Sequence, residues 1–398
     1  MILQICKWEG KDMTAKSRLV IYDTTNFIDF PIGGQLTSVR NFLSYLCEMH
    51  ADRIKDIILV GVTKEPLQIG RFSQINVHGH QMRFLAVTSV EENLGHTVHS
   101  LRLKYAKGLI KYGRMLHLNR TDCNYFQTPE AVGPVWLIQP FGKYVVFSHG
   151  SFANMDRGFR FFQNRPVIRK MFTGYLKWVV RKADLIFILD EDSRRDYCSY
   201  TKRLKKTGNS IVLADDFEKW KAHEYCGNLI FVGRLSKGKR VADIINAVSL
   251  LHNNECLLIV GDGEERNNLE NLVKQINMQE RVSFLGAVIP KKVSSCMDNA
   301  DILIMNSDFE GVPMTILEAF SHGLPVVTTN VGGIGENVHF GLDAEQTEAS
   351  PESIAFAVEK IRGNYVAYAE AAHQHALDFD YRKVNSKIYD SLCHFWKE

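Results

Sequence analysis

Short apolar runs alternate along the whole chain with longer stretches of helical period, the pattern of strands feeding helices. In the first half, runs at 18–23, 56–63, 113–119, 143–148 and 184–189 predict strands, and the stretches 35–48, 97–111 and 166–183 predict helices. In the second half, strands are expected at 228–233, 256–260, 282–285, 301–306 and 325–328. Helices are expected at 240–252, 264–277, 313–322 and 351–363. Regular alternation of this kind gives α/β architecture with parallel sheets, one doubly wound sheet per half. "TKRLKKTGNS" (201–210) is basic and polar, contains Gly208, and reads as the boundary. The last stretch carries apolar residues at 384, 388, 389, 392, 395 and 396, a helical stripe.

Composition narrows the class. At 398 residues the chain suits two domains of ordinary size, and 45% hydrophobic with 23% charged residues is a globular balance that excludes disorder. The eight cysteines (6, 47, 123, 198, 226, 256, 296, 393) include no C-x-x-C pair, which argues against a zinc site and a disulfide scaffold and for a reducing cytosol. No apolar run approaches the ~18 residues of a membrane span, and no signal-peptide stretch opens the chain. A cytoplasmic protein is expected. The net charge of +3 hides an asymmetry: residues 1–200 hold 27 basic and 18 acidic side chains, residues 201–398 hold 21 and 27. Two domains with different partners fit that split.

In open α/β sheets, ligands bind beyond the carboxyl ends of the strands. "FVGRLSKGKR" (231–240) follows an expected strand. Gly233 allows a turn, and Arg234 and Lys239 suit a diphosphate, the guanidinium bidentately and the ammonium as a point charge. A solvated basic loop is the plainer reading. "GDG" at 261–263 lacks the third glycine of a dinucleotide fingerprint, so it reads as a tight strand-to-helix turn near a ligand, with Asp262 a candidate contact. In "DFEGVPMTILEAFSHGLPVV" (308–327), Pro313 is expected at the first helical position and Gly323 past the end. Glu310 and Gly311 then lie in the preceding loop and Glu318 within the helix. The amides of Met314, Thr315 and Ile316 would form an anion-favouring first turn. Alternatively Ile316, Leu317 and Phe320 face the core and both glutamates face water.

Together "GRLSKGK", "GDGEERNNLE", "VSFLGAV" and "ADILIMNSDFEGVPMTILEAFSHGLPVVTTNVGGIGE", in this order, resemble the retaining glycosyltransferases of family 4, strongly over 228–336. The resemblance implies a GT-B fold, two Rossmann-like domains facing a cleft. An acceptor domain over 1–207 would be rejoined by a C-terminal helix, 379–398, that crosses back to it, and a nucleotide-sugar domain would cover 208–378. Glu310 and Glu318 match the family's E-x7-E pair. Glu318 would bind the nucleotide ribose, Glu310 would lie by the donor sugar, and Arg234 with Lys239 would hold the diphosphate. Ala287 and Val288 would lie by the base. Arg240 departs from the pattern, since glycine commonly follows that lysine.

The first half matches more weakly. Gly33 and Gly34 resemble the family's glycine loop, which would bring backbone amides to the donor phosphate or acceptor. His149 in "VVFSHGSF" matches a strand-end histidine that would reach the donor sugar. Asn119, Arg120 and Asp122, read as ending the strand 113–119, are candidate acceptor contacts. His78 with His80, and His96 with His99, offer no convincing third ligand, so no metal is expected. The donor is then a substrate, a UDP-sugar favoured, and no cofactor is needed.

The implied reaction is retaining transfer of a sugar from a nucleotide sugar to a hydroxyl of a glycan or lipid-linked acceptor. Lipopolysaccharide, O-antigen or capsule assembly is the suggested setting. The basic, aromatic stretch 165–184 and the cations of 201–206 suggest an anionic membrane surface, the inner face of the plasma membrane, as a peripheral partner; a helix packing its apolar side on a sheet is the other reading. Nucleic acid is not expected. A nucleotide-sugar epimerase of the same fold and a non-catalytic scaffold are the rivals.

Overall fold

The computed structural model describes residues 17–28, 34–90, 98–150, 166–252, 255–311 and 313–396. The chain divides into two compact units, Met1–Gly208 with Val384–Glu398, and Asn209–Lys383.

The strands of the first unit are β1 (Leu19–Tyr22), β2 (Ile57–Thr63), β3 (Phe72–Val77), β4 (His80–Ser89), β5 (Cys123–Phe126), β6 (Lys143–Ser148), β7 (Leu185–Ile188) and β8 (Leu204–Lys206). They form one sheet in the order β3-β4-β2-β1-β5-β6-β7-β8, parallel except for the β3–β4 hairpin. Every residue of β1 and β2 is buried, as helices on both faces of a parallel sheet require. The hairpin turns on His78 and Gly79, both at positive φ (47° and 86°), the backbone of a two-residue turn that follows strand twist. The carboxyl-terminal residues pack into this unit. Trp396 is buried, donates Nε1–H to the Ser17 carbonyl at 2.8 Å and lies 4.2 Å under the Arg53 guanidinium.

The second unit has β9 (Asn228–Val232), β10 (Cys256–Val260), β11 (Val282–Gly286), β12 (Ile302–Met305), β13 (Val326–Thr329) and β14 (Ala344–Thr347). All pair in parallel in the order β11-β10-β9-β12-β13-β14, the doubly wound order in which the chain starts at the centre and winds outwards twice. Ile244, Val248, Ile354, Val358 and Ile361 from the helices Val241–Leu250 and Pro351–Gly363 close a core over Leu229, Phe231 and Leu257.

Several expected elements differ. Residues 113–119 are not a strand: Gly113–Leu116 forms a 3-10 turn and His117 takes a left-handed φ of 43°. The strand at that place in the sheet is β5, whose four buried residues follow. Strands β3, β4, β8 and β14 are additional. Strands β3, β8 and β14 lie at sheet edges with polar sequences and so carry little of the apolar signal a buried strand gives, while β4 is an inner strand whose polar start "HQMR" precedes its buried run "FLAV".

Candidate functional site

The order of the second sheet reverses between β9 and β12, and the loops leaving those two strands flank the point of reversal. Their backbones are tied by Asp308 N–H donating to the Gly238 carbonyl at 2.8 Å. Here Lys239 Nζ ion-pairs with Glu310 Oε1, which also accepts the Ser307 hydroxyl at 2.7 Å. The lysine side chain is 24% exposed and the glutamate 12%, so Glu310 is held against protein rather than facing water. Ser307 is itself fixed from β13, whose Thr329 hydroxyl donates to the Ser307 carbonyl at 2.8 Å.

Two glycines make the loop paths possible. Gly261 (φ +136°) packs so closely on the β9 loop that a Cβ there would lie 1.8 Å from the Gly233 carbonyl oxygen. Gly332 (φ +57°) does the same at the β12 loop, where a Cβ would meet the Glu310 carbonyl at 1.7 Å. Leu235 N–H to Asp262 O and Gly333 N–H to Gly311 O complete the stitching at 3.0 and 2.9 Å. Positions near 261 and 332 therefore set where Arg234 and Glu310 sit.

Arg234 pairs with Glu264 at 3.1 Å, and its side chain is 69% exposed. Exposed pairs of this kind contribute about 0–1 kcal/mol, so the guanidinium can exchange Glu264 for a stronger anion. Arg240 explains its departure from the family pattern. It has a φ of 47°, the left-handed backbone that glycine adopts most easily. Its side chain offsets the strain, donating to Asp243 Oδ2 at 2.8 Å, Asp308 Oδ1 at 3.4 Å and the Ala349 carbonyl at 2.8 Å. The hydrogen bond to Asp243 raises the Arg240 pKa above its ordinary value.

The helix after β12 runs Met314–Ser321, with Pro313 extended (ψ 114°) at the N-cap rather than at the first helical position. Ile316 N–H donates to the Pro313 carbonyl at 3.2 Å, so this amide is used within the turn and Met314 and Thr315 supply the leading N–H groups. Ile316, Leu317 and Phe320 are buried, each apolar side chain contributing about 1.5–3 kcal/mol. Thr315 and Glu318, three residues apart, share the half-buried opposite side. The helix has a core face, as expected for Ile316, Leu317 and Phe320, and a polar face. Beyond β10, Asp262 Oδ1 accepts Gly263 N–H at 2.7 Å. Beyond β11, Ala287 is exposed and Val288 half-buried.

In the first unit, Gly34 opens the helix Gly34–Met49, while Gly33 lies outside the described residues. His149 follows β6. Its Nε2 lies 3.1 Å from Gln127 Oε1 and its ring 4.6 Å from that of Phe147. Burial, with Arg102 adding a like charge, pushes its pKa down to about 3, so it is a neutral hydrogen-bonding group at physiological pH. Asn119, Arg120 and Asp122 stand at the amino end of β5, not at the carboxyl end of a strand. Asp122 is fully buried and accepts Arg18 Nε at 3.1 Å, Arg18 N–H at 3.0 Å and Asn119 N–H at 2.9 Å. The Arg18 guanidinium also donates to the carbonyls of Leu116 and His117. Every partner of this carboxylate is accounted for, which makes it structural. Arg120 lies over the Phe141 ring at 5.3 Å. His78 accepts or donates at Ser44 Oγ (2.9 Å) beside the hairpin turn, and His96 lies outside the described residues. Ser307, Asp308, Glu264 and Gly332 were not anticipated. Only the polar run "NSD" before Glu310 offered a signal for the first two.

The two units carry the GT-B fold. HepE of Anabaena, solved in complex with UDP and glucose, superposes over 95% of this chain and 100% of its own with a TM-score of 0.67, at 17% identity. Within the second unit, residues 214–371 match the family model described as glycosyl transferases group 1. The N-acetyl-alpha-D-glucosaminyl L-malate synthase of Bacillus anthracis is 34% identical over 115 residues, 28% of this chain and 30% of its own. The O-antigen biosynthesis glycosyltransferase WbnH of Escherichia coli is 36% identical over 145 residues, 36% and 40% of the two chains. The matched stretch thus spans well under half of either relative.

Proposed function

We propose that this protein is a retaining glycosyltransferase that moves a sugar from a nucleotide-sugar donor to an acceptor hydroxyl. The observation that carries the reading is the Lys239–Glu310 pair, with Arg234 nearby in sequence, at the order reversal of a doubly wound sheet. Two cations at the carboxyl ends of parallel strands, ahead of a helix with leading amides at Met314 and Thr315, suit a nucleoside diphosphate as it leaves. Glu318 on the polar face of that helix is the ribose acceptor. Glu310 orients Lys239 and contacts the donor sugar. The departing phosphate takes the acceptor proton in a front-face displacement, so no protein nucleophile and no metal at the donor site are required. The family match over 214–371 and the UDP and glucose bound by HepE support this donor class, with a uridine nucleotide first among candidates. The likeness to WbnH supports surface-polysaccharide assembly as the setting.

The acceptor surface is read as lipid-associated. In the helix Pro166–Lys182, Leu176, Val179 and Val180 pack inwards, while Val167, Ile168 and Met171 stay exposed beside Arg169 and Lys170. Further along, Lys177 and Arg181 lie on the Tyr200 ring, Arg203 donates to the Ala183 carbonyl and Lys205 to Ser391. The exposed apolar residues Val167, Ile168 and Met171 at the start of this helix are the membrane-facing element of this reading. No helix among the described residues is long and apolar enough to cross a membrane.

Incubation with UDP-, GDP-, ADP- and dTDP-sugars, followed by product analysis, tests the reading. Transfer, or slow hydrolysis without acceptor, with the anomeric configuration kept is expected. Conversion of one nucleotide sugar into another identifies an epimerase instead, and absence of any nucleotide-sugar binding identifies a scaffold. Val167→Asp with Met171→Asp is expected to abolish sedimentation with anionic vesicles; unchanged sedimentation removes the membrane reading.

A further inference from the structure

At the opposite end of the second sheet, at the amino ends of β9 and β12, three side chains of different chemistry converge. His223 Nδ1, Cys226 Sγ and a carboxylate oxygen of Asp301 all lie within 4.8 Å of one another. Asp301 is 99% buried, and the surrounding atoms use only half of it. Its Oδ2 accepts the backbone N–H groups of Asn228 and Cys226 at 2.6 and 3.2 Å, while Oδ1 is buried with no hydrogen-bond partner. His223 Nδ1 lies 3.6 Å from Oδ1, beyond hydrogen-bond reach. A buried carboxylate oxygen left bare is costly unless something fills the gap.

We propose that His223, Cys226 and Asp301 form a binding site for a divalent transition-metal cation of the zinc class. Imidazole, thiolate and carboxylate are the three ligand types that zinc takes, and tetrahedral zinc places its ligand atoms about 3.3–3.8 Å apart. The 3.6 Å between His223 Nδ1 and Asp301 Oδ1 already has that spacing. The outer contacts fit as well. His223 Nε2 lies 3.3 Å from the Tyr365 hydroxyl, and without metal His223 Nδ1–H and the Cys226 thiol both donate to the Glu224 carbonyl, at 2.8 and 3.3 Å. Binding requires the His223 ring proton to move from Nδ1 to Nε2, where it can donate to the Tyr365 hydroxyl, and the Cys226 thiol to release its proton to solvent. A fourth position is open to water. His223-x-x-Cys226 is a chelating spacing in one loop, and the third ligand comes from a strand end some 75 residues on, so no C-x-x-C search finds it. The expectation of no metal is revised at this place only, away from the donor site. In the other group of similar composition, His339, Asp343 and His375, both imidazoles bond Asp343 Oδ2 at 2.9 Å and Oδ1 takes the His339 backbone N–H, so no carboxylate oxygen is left bare. The site would pin the segment ahead of β9 to the sheet.

The test is titration of the full chain with Co(II) and with zinc. We expect one tightly bound metal per chain, a thiolate-to-cobalt charge-transfer band, and a melting temperature that chelator lowers. Cys226→Ser, at an exposed position, abolishes the band and the chelator effect, whereas Cys198→Ser, another exposed cysteine, changes neither. Asp301→Asn keeps an acceptor for the two backbone amides and weakens binding by at least ~10-fold. Absence of the band in the unaltered protein, or its persistence in Cys226→Ser, overturns the proposal. Where Asp301→Asn does not fold, the Cys226→Ser result decides alone.

Discussion

Two cation–carboxylate pairs sit at ends of parallel strands, one in each unit, and they are built differently. Arg18–Asp122, at the amino ends of β1 and β5, is fully buried and fully bonded, the carboxylate by main-chain and side-chain N–H groups and the guanidinium by two carbonyls. Lys239–Glu310, at the carboxyl ends of β9 and β12, is partly exposed and leaves the ammonium with donors to spare. A buried pair with all its partners is a fixture whose loss unfolds the region. A partly exposed pair at a point of strand-order reversal can exchange one partner for a ligand. Residue type does not separate structure from chemistry here. The end of the strand and the count of satisfied groups do.

That contrast can be broken in five ways. Asp122→Ala has the largest expected effect, a loss of about 3–5 kcal/mol of stability from an uncompensated buried Arg18, measured by denaturant unfolding. Turnover per folded molecule should be retained. Lys239→Ala should do the reverse: a fall of about 10²–10³ in kcat, the magnitude of removing one preorganised charge-stabilising donor, with the melting temperature nearly unchanged. If Lys239→Ala destabilised as Asp122→Ala does, the distinction would be lost. Gly332→Ala should act on both counts, since its Cβ would collide with the Glu310 carbonyl at a left-handed φ. A loss of about 2 kcal/mol or more, with reduced activity, is expected.

The fourth concerns pH. His149 has a folded pKa near 3, below its unfolded value, so between pH 3 and 6.5 the unfolded chain binds the extra proton. Its contribution is complete above about pH 6.5 and is lost as pH falls towards 3. His149→Asn should flatten the stability–pH slope there by up to ~1.4 kcal/mol per pH unit. An unchanged slope would mean the imidazole is not held neutral. The smallest effect is Arg240→Gly. Relief of the left-handed strain and loss of half-exposed contacts to Asp243 and Asp308 nearly cancel, leaving a change under about 1 kcal/mol.

Much of this was legible beforehand. Strands such as "LVIY" and "IILVGVT" are buried on both faces and so read as continuous apolar runs. The second unit's glycines, prolines and charged pairs fall in loops that the strand pattern already located. What escaped has physical causes. Strand β14, "AEQT", and strand β3, "FSQINV", lie at sheet edges, where polar residues are tolerated. The apolar residues of 113–119 looked like a strand, but Leu116 fills the core from a 3-10 turn. Asp122 looked like an acceptor contact because its partner Arg18 lies 104 residues away, a pairing no local pattern carries. Gly332 is a glycine because of the Glu310 carbonyl, another contact made only on folding.

The central claim is that Lys239 holds a nucleoside diphosphate, and calorimetric titration of UDP, GDP and ADP into the unaltered and Lys239→Ala proteins tests it most directly. At least one diphosphate should bind the unaltered chain, and its affinity should fall about 10–100-fold in the variant, the worth of one charge-assisted contact. Equal affinity in both folded proteins, or no binding of any of the three, would contradict it.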